Sequence, residues 1–315
     1  MLFILIVSWN VRERLRACLA SLRAYPSARC PQQIIVVDNA STDGSADMVR
    51  TEFPEVQLIA NPTNRGFTGG NNDGLRWIQT MSAQSEIAPR YVLLLNPDTE
   101  VTPSALDALI ACAEAQPQAA VVGPQLRYPD GRLQSSRRRF PTLLTAIFES
   151  TPLQRHAPRS LLARYYALDL ADDQPAEVDW VVGAAMLVRW AALQEVGWLD
   201  EQTFFMYSEE LDWCRRFKRS GWRVLYCPSA QVIHHEAQSS GQAVAQRIVH
   251  FNASKVRYFA KHHGRPQAEL LRWVLLGLWA RELCIEGLKW LLGHKRSLRA
   301  ERIAAYAHAL RSGFR

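Results

Sequence analysis

Paired cysteines are missing from this chain. Its six cysteines, at positions 18, 30, 112, 214, 227 and 284, are scattered, with no CxxC and no repeated spacing. That argues against a disulfide framework and makes reduced thiols in a cytosolic compartment the expectation. Long hydrophobic runs are missing too, since no apolar stretch reaches the ~18 residues a membrane span needs. The apolar start, residues 1–7, lacks a basic leading segment and a small-residue cleavage site, so it reads as a buried strand and not a signal peptide. No GxGxxG follows that strand, which counts against a nicotinamide or flavin cofactor, and no Gly-Lys-Ser/Thr ending makes a P-loop. The remainder is ordinary for a globular protein. With 48% hydrophobic and 21% charged residues, 315 residues can form one large domain, or a domain plus an extension.

Charge is unevenly spread. Residues 241–315 hold 14 Lys/Arg against 4 Asp/Glu, a surplus of +10 in a chain whose net charge is +7, so the rest sums to −3. An anionic surface or substrate near the C-terminal segment follows from that excess. No nucleic-acid partner is expected.

Tyr91-Val-Leu-Leu-Leu-Asn96-Pro97-Asp98-Thr99-Glu100 organises the chain. Residues 91–95 form a continuous apolar run that predicts a strand buried on both faces. Asn96-Pro97 ends it, because proline lacks an N–H and restricts its predecessor. Asp98 and Glu100 then lie past the strand's carboxyl end, where ligands bind in open α/β sheets. A divalent cation on those carboxylates and an Asp capping a turn both fit.

Around it, strands are predicted at 4–8, 33–37, 56–60 and 121–125, with helices at 12–24, 45–53, 103–115 and one ending at Ile78. This alternation predicts an α/β fold with a mainly parallel, doubly wound sheet. Strands follow at 178–182, 185–188, 222–227 and 231–234, a helix at 208–220, and helix throughout from about 244. A boundary is expected near 240.

Four stretches carry chemistry. Asp38-Asn39-Ala40-Ser41-Thr42-Asp43 can meet a ribose or base, and equally forms an Asx-turn and helix cap. Arg65-Gly66-Phe67-Thr68-Gly69-Gly70-Asn71 reads as a loop whose glycines admit a ligand and whose arginine suits a phosphate. Ser208 is a natural N-cap for Glu209 and Glu210, and Phe205 and Tyr207 would wall a pocket and raise a carboxylate pKa. His234 and His235 end a strand, so only one can face the site. Leu270–Leu292, apolar but interrupted by Arg272, Arg281, Glu282, Glu286 and Lys289, suits either a membrane interface or packing on the domain or a second subunit.

In this order, these pieces resemble the inverting nucleotide-sugar glycosyltransferases of family 2 with the GT-A fold, in particular the rhamnosyltransferase-like branch. The resemblance rests on Val7-Ser8-Trp9-Asn10, residues 36–45, Asn64-Arg65-Gly66-Phe67 with residues 69–72, and residues 94–99. It rests further on Val178-Asp179-Trp180 with Gly183-Ala184, Phe205-Met206-Tyr207 with residues 209–212, and Val232-Ile233-His234-His235. It covers roughly residues 2–240. It implies a catalytic domain over 1–240, with a nucleotide half to about 125 and an acceptor half from 126, and a basic helical extension over 241–315.

The resemblance also implies roles. Ser8, Asn10, Asp38, Asn39, Arg65, Gly70, Asn71 and Asn96 would bind the nucleotide donor. Asp98, joined by His235, would hold Mg²⁺ or Mn²⁺, with Asn96 standing where the family has an acid. Glu210 would be the catalytic base. Trp180, Gly183, Ala184, Glu209 and Asp212 would shape the pocket for the sugar and the acceptor. The expected reaction transfers a sugar, a deoxyhexose such as rhamnose, to a saccharide or lipid-linked acceptor in surface polysaccharide synthesis. The expected place is the cytoplasm, at the inner face of the cytoplasmic membrane through residues 266–315. Two rival readings are a nucleotidyltransferase, which should carry a glycine-rich loop after strand one where Ser8-Trp9-Asn10-Val11 stands, and a non-catalytic homologue, which should have lost Asp98 or the helix-start acids.

Overall fold

The computed structural model describes residues 1–84, 87–235 and 244–315. Strand β1, Leu2–Ser8, is buried along its whole length, as its unbroken apolar run requires. It pairs in parallel with β2 (Gln32–Asp38) on one side and β4 (Tyr91–Leu95) on the other, and β3 (Gln57–Ala60) continues from β2. Helix α1, Arg12–Ala24, closes one face of the sheet with Leu15, Leu19 and Leu22, all fully buried. Helices α2 (Ser45–Glu52) and α3 (Gly66–Gln84) complete this half.

Beyond β4 the sheet changes direction. Strand β5 is Thr99–Val101, α4 is Ala105–Ala115 and β6 is Ala119–Arg127. Short strands β7 (Leu133–Gln134) and β8 (Arg137–Arg138) follow, then helices α5 (Leu143–Phe148) and α6 (Arg159–Tyr165). Strands β9 (Ala176–Val178), β10 (Trp180–Val181) and β11 (Ala185–Arg189) lead to α7 (Trp190–Val196), α8 (Glu209–Arg219) and β12 (Arg223–His234). The main sheet runs β3-β2-β1-β4-β11-β6-β12-β5. Strand β11 is antiparallel to both β4 and β6, and β5 is antiparallel to β12. The sheet is therefore mainly parallel with antiparallel members beyond β4.

Three expectations differ from the structure. The strand expected over 178–182 breaks at Asp179: β9 pairs with β12, whereas β10 pairs with β8 in a separate two-stranded sheet. The segments 222–227 and 231–234 are one strand, because the register of β12 slips between Cys227 and Gln231 and so absorbs Pro228 in a bulge. The stretch from Gly66 is helix and not loop. A Cβ on Gly70 would stand 2.7 Å from Val7 Cγ1, and one on Gly74 2.1 Å from Leu5 Cδ1. These glycines let α3 lie close on β1, so packing demands them.

The chain forms two compact units. The first comprises residues 1–140, 166–201 and 209–239; the second comprises 141–165, 202–208 and 240–315. The expected boundary near 240 lies outside the described residues; residues 141–165 and 202–208 join the C-terminal helices in the second unit. Within the second unit these are α9 (Val244–His263), α10 (Arg265–Leu291) and α11 (Arg296–Ser312). Buried Lys255 of α9 donates to the carbonyls of Ala146 and Glu149 at 3.2 and 2.8 Å, and Ser254 Oγ donates to Met206 O at 2.8 Å. Those bonds explain why 141–165 and 202–208 belong here. Phe205 stacks on His250 and Tyr207 meets Phe251 edge-on.

Candidate active site

Parallel pairing puts the carboxyl ends of β1, β2 and β4 on one edge of the first unit. Ser8 stands opposite Asp38 in the register, and both are buried. Asp38 Oδ2 accepts from Ser41 N at 3.0 Å, which is the expected Asx-turn. Its Oδ1 is buried with no hydrogen-bond partner, and so is Ser8 Oγ. Two adjacent buried oxygens without partners are costly unless a ligand supplies donors. The turn occupies one oxygen of the carboxylate and leaves the other available to a ligand.

Other expected donor residues are engaged within the framework. Asn10, in a left-handed conformation at φ 52°, donates its N–H to Ser41 Oγ and accepts from Thr42 N at 2.7 Å. Asn39 Nδ2 donates to Gly66 O at 2.8 Å, and its Oδ1 accepts from Asn61. Asn71 donates to Phe67 O one turn earlier. Arg65 pairs with Asp73 and with Glu201 at 3.0 Å, and Arg76 bonds the same two carboxylates. The cation expected to meet phosphate is thus held by two acids. Asn96 donates its backbone N–H to Ala184 O at 2.8 Å, fixing the end of β4.

Asp98 follows on the same edge, 6% exposed. The antiparallel pairing of β12 with β5 sets His234 opposite Thr99 and brings its Nε2 to 3.4 Å from Asp98 Oδ1. His234 Nδ1 lies 2.9 Å from Gln134 Oε1. His235, expected beside Asp98, points elsewhere: its Nε2 lies 2.7 Å from Glu100 Oε1 and its Nδ1 3.0 Å from an Arg14 guanidinium nitrogen. Alternation along a strand sends neighbours to opposite faces, and the register chooses His234. Among the described residues, no group of three or more His, Cys, Asp and Glu side chains converges for a metal. A hard divalent cation that keeps substrate phosphates and water needs only one or two protein ligands, and Asp98 with His234 fits that demand.

Helix α8 supplies the carboxylates. Glu209 is buried at 4% exposure and Glu210 partly so; the Oε2 atom of each has no hydrogen-bond partner. Burial pushes the Glu209 carboxyl well up, and the Glu210 charge adds to it. Burial also raises Glu210, opposed by the N–H groups of Glu210, Leu211 and Gly183 and by the charge of Arg138. The rise comes first from burial of the carboxylates themselves. Gly183 leaves room for Glu210: a Cβ there would be 3.6 Å from Glu210 Cβ and Cγ. The guanidinium of Arg138 lies 4.6 Å over the Tyr166 ring and 5.9 Å from Trp180, whose indole N–H donates to Arg139 O at 3.1 Å. Asp212 is fully buried and accepts from Arg216 Nε at 2.9 Å; Arg216 also donates to Val196 O and Trp198 O. Asp212 therefore anchors α8. Ser208 takes a left-handed φ of 66°, and Tyr207 68°, in place of the extended conformation usual for an N-cap. A bulky residue in that region is a strain that functional sites tolerate.

The sequence matches the description "Glycosyl transferase family 2" over residues 3–178 and "Glycosyl transferase family group 2" over 91–306. The chain belongs to glycosyl transferase family 2. It is 31% identical, over 86% of its length and 88% of the relative's, to the N-acetylglucosaminyl-diphospho-decaprenol L-rhamnosyltransferase of Mycobacterium tuberculosis. To the rhamnosyltransferase WbbL of Escherichia coli it is 26% identical over 83% and 93% of the two chains. Its fold is like that of the mannosyltransferase PcManGT from Pyrobaculum calidifontis, solved with GDP-Man and Mn²⁺, at TM-score 0.54 and 14% identity, covering 99% and 85% of the chains. GalNAc-T7, solved with UDP, GalNAc and Mn²⁺, gives TM-score 0.52 at 14% identity over 74% of this chain; the chain spans 43% of that protein. These neighbours carry the GT-A arrangement that the motifs imply.

For a glycosyltransferase of this family, the structure adds residues that the sequence did not single out. Gln134 comes from β7, far along the chain, and Arg14 from the exposed start of α1. Neither sits in a motif. His234 was within reach: buried Val232 puts position 234 on the same inward alternation.

Proposed function

We propose that this glycosyltransferase moves a deoxyhexose such as rhamnose from a nucleoside diphosphate to a saccharide on a lipid diphosphate carrier, inverting the anomeric configuration. The relatives' names supply the sugar and the carrier. The observation that carries the chemistry is the Asp38 carboxylate, buried on the sheet edge with one oxygen unsatisfied, on the same edge as Asp98 with His234.

Asp38 Oδ1 and Ser8 Oγ accept donors from the nucleoside. Asp98 and His234 would hold Mg²⁺ or Mn²⁺, which when bound offsets the charge gathering on the departing diphosphate. Glu210 takes the proton of the acceptor hydroxyl as that oxygen bonds to the anomeric carbon. The bond from that carbon to the diphosphate breaks with its electron pair leaving on phosphate oxygen. A single displacement from the opposite face inverts the centre. A carboxylate whose pKa is raised by burial is a better base for this step than an exposed one. Glu209, also raised, helps hold a proton in the pair.

A panel of dTDP-, UDP- and GDP-sugars tests the reading, scored by thermal protection and by transfer to a polyprenyl-diphosphate N-acetylglucosamine. dTDP-rhamnose should protect most and give product of inverted configuration. Retained configuration would contradict the single displacement, and failure of every nucleotide sugar to protect would contradict the donor site.

A further inference from the structure

Helix α10 has two unlike sides. Ala268, Leu271 and Leu275 are buried on α5, α9 and α11. Opposite them, Leu270, Trp273, Gly277, Arg281, Cys284 and Leu288 are all exposed, at steps of three and four residues. That spacing draws one stripe along the helix. It continues through Leu291 into the turn, where Leu292 is 85% exposed. From Leu270 to Leu291 the stripe is about 31 Å long at 1.5 Å per residue. Arg281 is its one charged member. Trp273, 63% exposed, stands near one end, and Leu288, Leu291 and Leu292 stand at the other.

The stripe's surroundings are basic. Lys295, in the turn after α10, and Arg296, the first residue of α11, are exposed, and Arg296 stacks over the Trp290 ring at 5.5 Å. Lys289 reaches back to Glu286 at 3.3 Å. Residues 241–315 as a whole carry the +10 surplus. No described helix is long and apolar enough to cross a membrane. An exposed apolar stripe with a tryptophan near one end and cations at its margin has the chemistry of a helix lying in a bilayer interface. A second copy of the chain would bring the same surplus of positive charge against this face, whereas anionic headgroups complement it.

We propose that the exposed face of α10, with the turn into α11, binds the surface of anionic phospholipid bilayers, the helix axis lying in the membrane plane. Leu270, Trp273, Leu288, Leu291 and Leu292 enter the acyl boundary. Lys295 and Arg296 meet headgroup phosphates.

Flotation of the full chain tests this, using vesicles of phosphatidylglycerol with phosphatidylcholine against phosphatidylcholine alone. Partition should favour the anionic vesicles at least about tenfold at low salt and fall steeply at ~0.5 M salt, where the screening length is a few ångströms. The double substitution Leu288→Ser/Leu291→Ser should lower partition about tenfold or more, with the melting temperature unchanged. Lys295→Glu/Arg296→Glu, at exposed positions, should do the same through charge. Absence of binding to anionic vesicles at low salt overturns the proposal. So does a lipid-free dimer in sedimentation that Leu288→Ser/Leu291→Ser dissociates. Flotation needs neither donor nor acceptor, so its failure leaves the transfer reaction untouched.

Discussion

One Asp38 oxygen closes the turn at Ser41 and the other is buried without a hydrogen-bond partner, which makes it the proposed acceptor for the nucleoside. Asp38→Ala should weaken nucleoside diphosphate binding roughly 10- to 100-fold, the scale of a hydrogen bond to a charged group, both with and without metal. Unchanged affinity by calorimetry would reduce Asp38 to a turn residue. The glutamates make a second test. Glu210→Gln keeps the size of the side chain but cannot take a proton, so turnover should fall roughly 10²- to 10⁴-fold with donor affinity intact. Glu209→Gln should lose much less; the reverse order would move the base to Glu209. Stability should respond as well. The folded-state pKa of Glu209 lies above its unfolded value, so the folded chain binds more protons than the unfolded one between those two values. Stability is then full below the unfolded pKa and is lost as pH rises toward the folded one. Glu209→Gln removes that loss and should raise the melting temperature at pH 8 by roughly 2 °C or more, the scale of ~1 kcal/mol, with little change near pH 4. A larger gain at pH 4 than at pH 8 would refute the assignment.

At the scale of elements, the closest approach is between α3 and β1. Gly74→Ala should destabilise the fold by roughly 1–3 kcal/mol, since the new methyl meets the buried Leu5 side chain. Gly287→Ala, with nothing within 4 Å, should instead stabilise α10 by up to about 1 kcal/mol, the cost of glycine in a helix. Equal effects in chemical denaturation would remove the packing explanation. Elements built from continuous local patterns were legible. Strands β1, β2 and β4 announce themselves by unbroken apolar runs, and α1 by leucines at helical spacing. The start of α3 was not legible, because glycines and asparagines suggest a loop until the β1 surface they face is known. Strand β5 is three residues long and exists only through pairing with β12, more than 120 residues away. That same pairing turns His234, and not His235, toward Asp98. Asp38, Asp98 and the α8 glutamates were readable because strand ends and helix starts mark them.

In the whole molecule, Asp38, Asp98 and Glu210 belong to the first unit, and the basic surplus lies at the C-terminal end. Nothing local assigns residues 141–165 and 202–208 to the second unit; buried Lys255 and Ser254 gather them by long-range hydrogen bonds. We propose above all that the sheet edge of this glycosyltransferase binds a nucleoside diphosphate together with a divalent cation on Asp98. Calorimetry of nucleoside diphosphate binding, with and without Mn²⁺, in the wild-type chain and in Asp98→Ala tests it most directly. Mn²⁺ should tighten binding about tenfold or more in the wild type and have no effect in the variant, whose melting profile should stay intact. Equal tightening by Mn²⁺ in both proteins would contradict the claim.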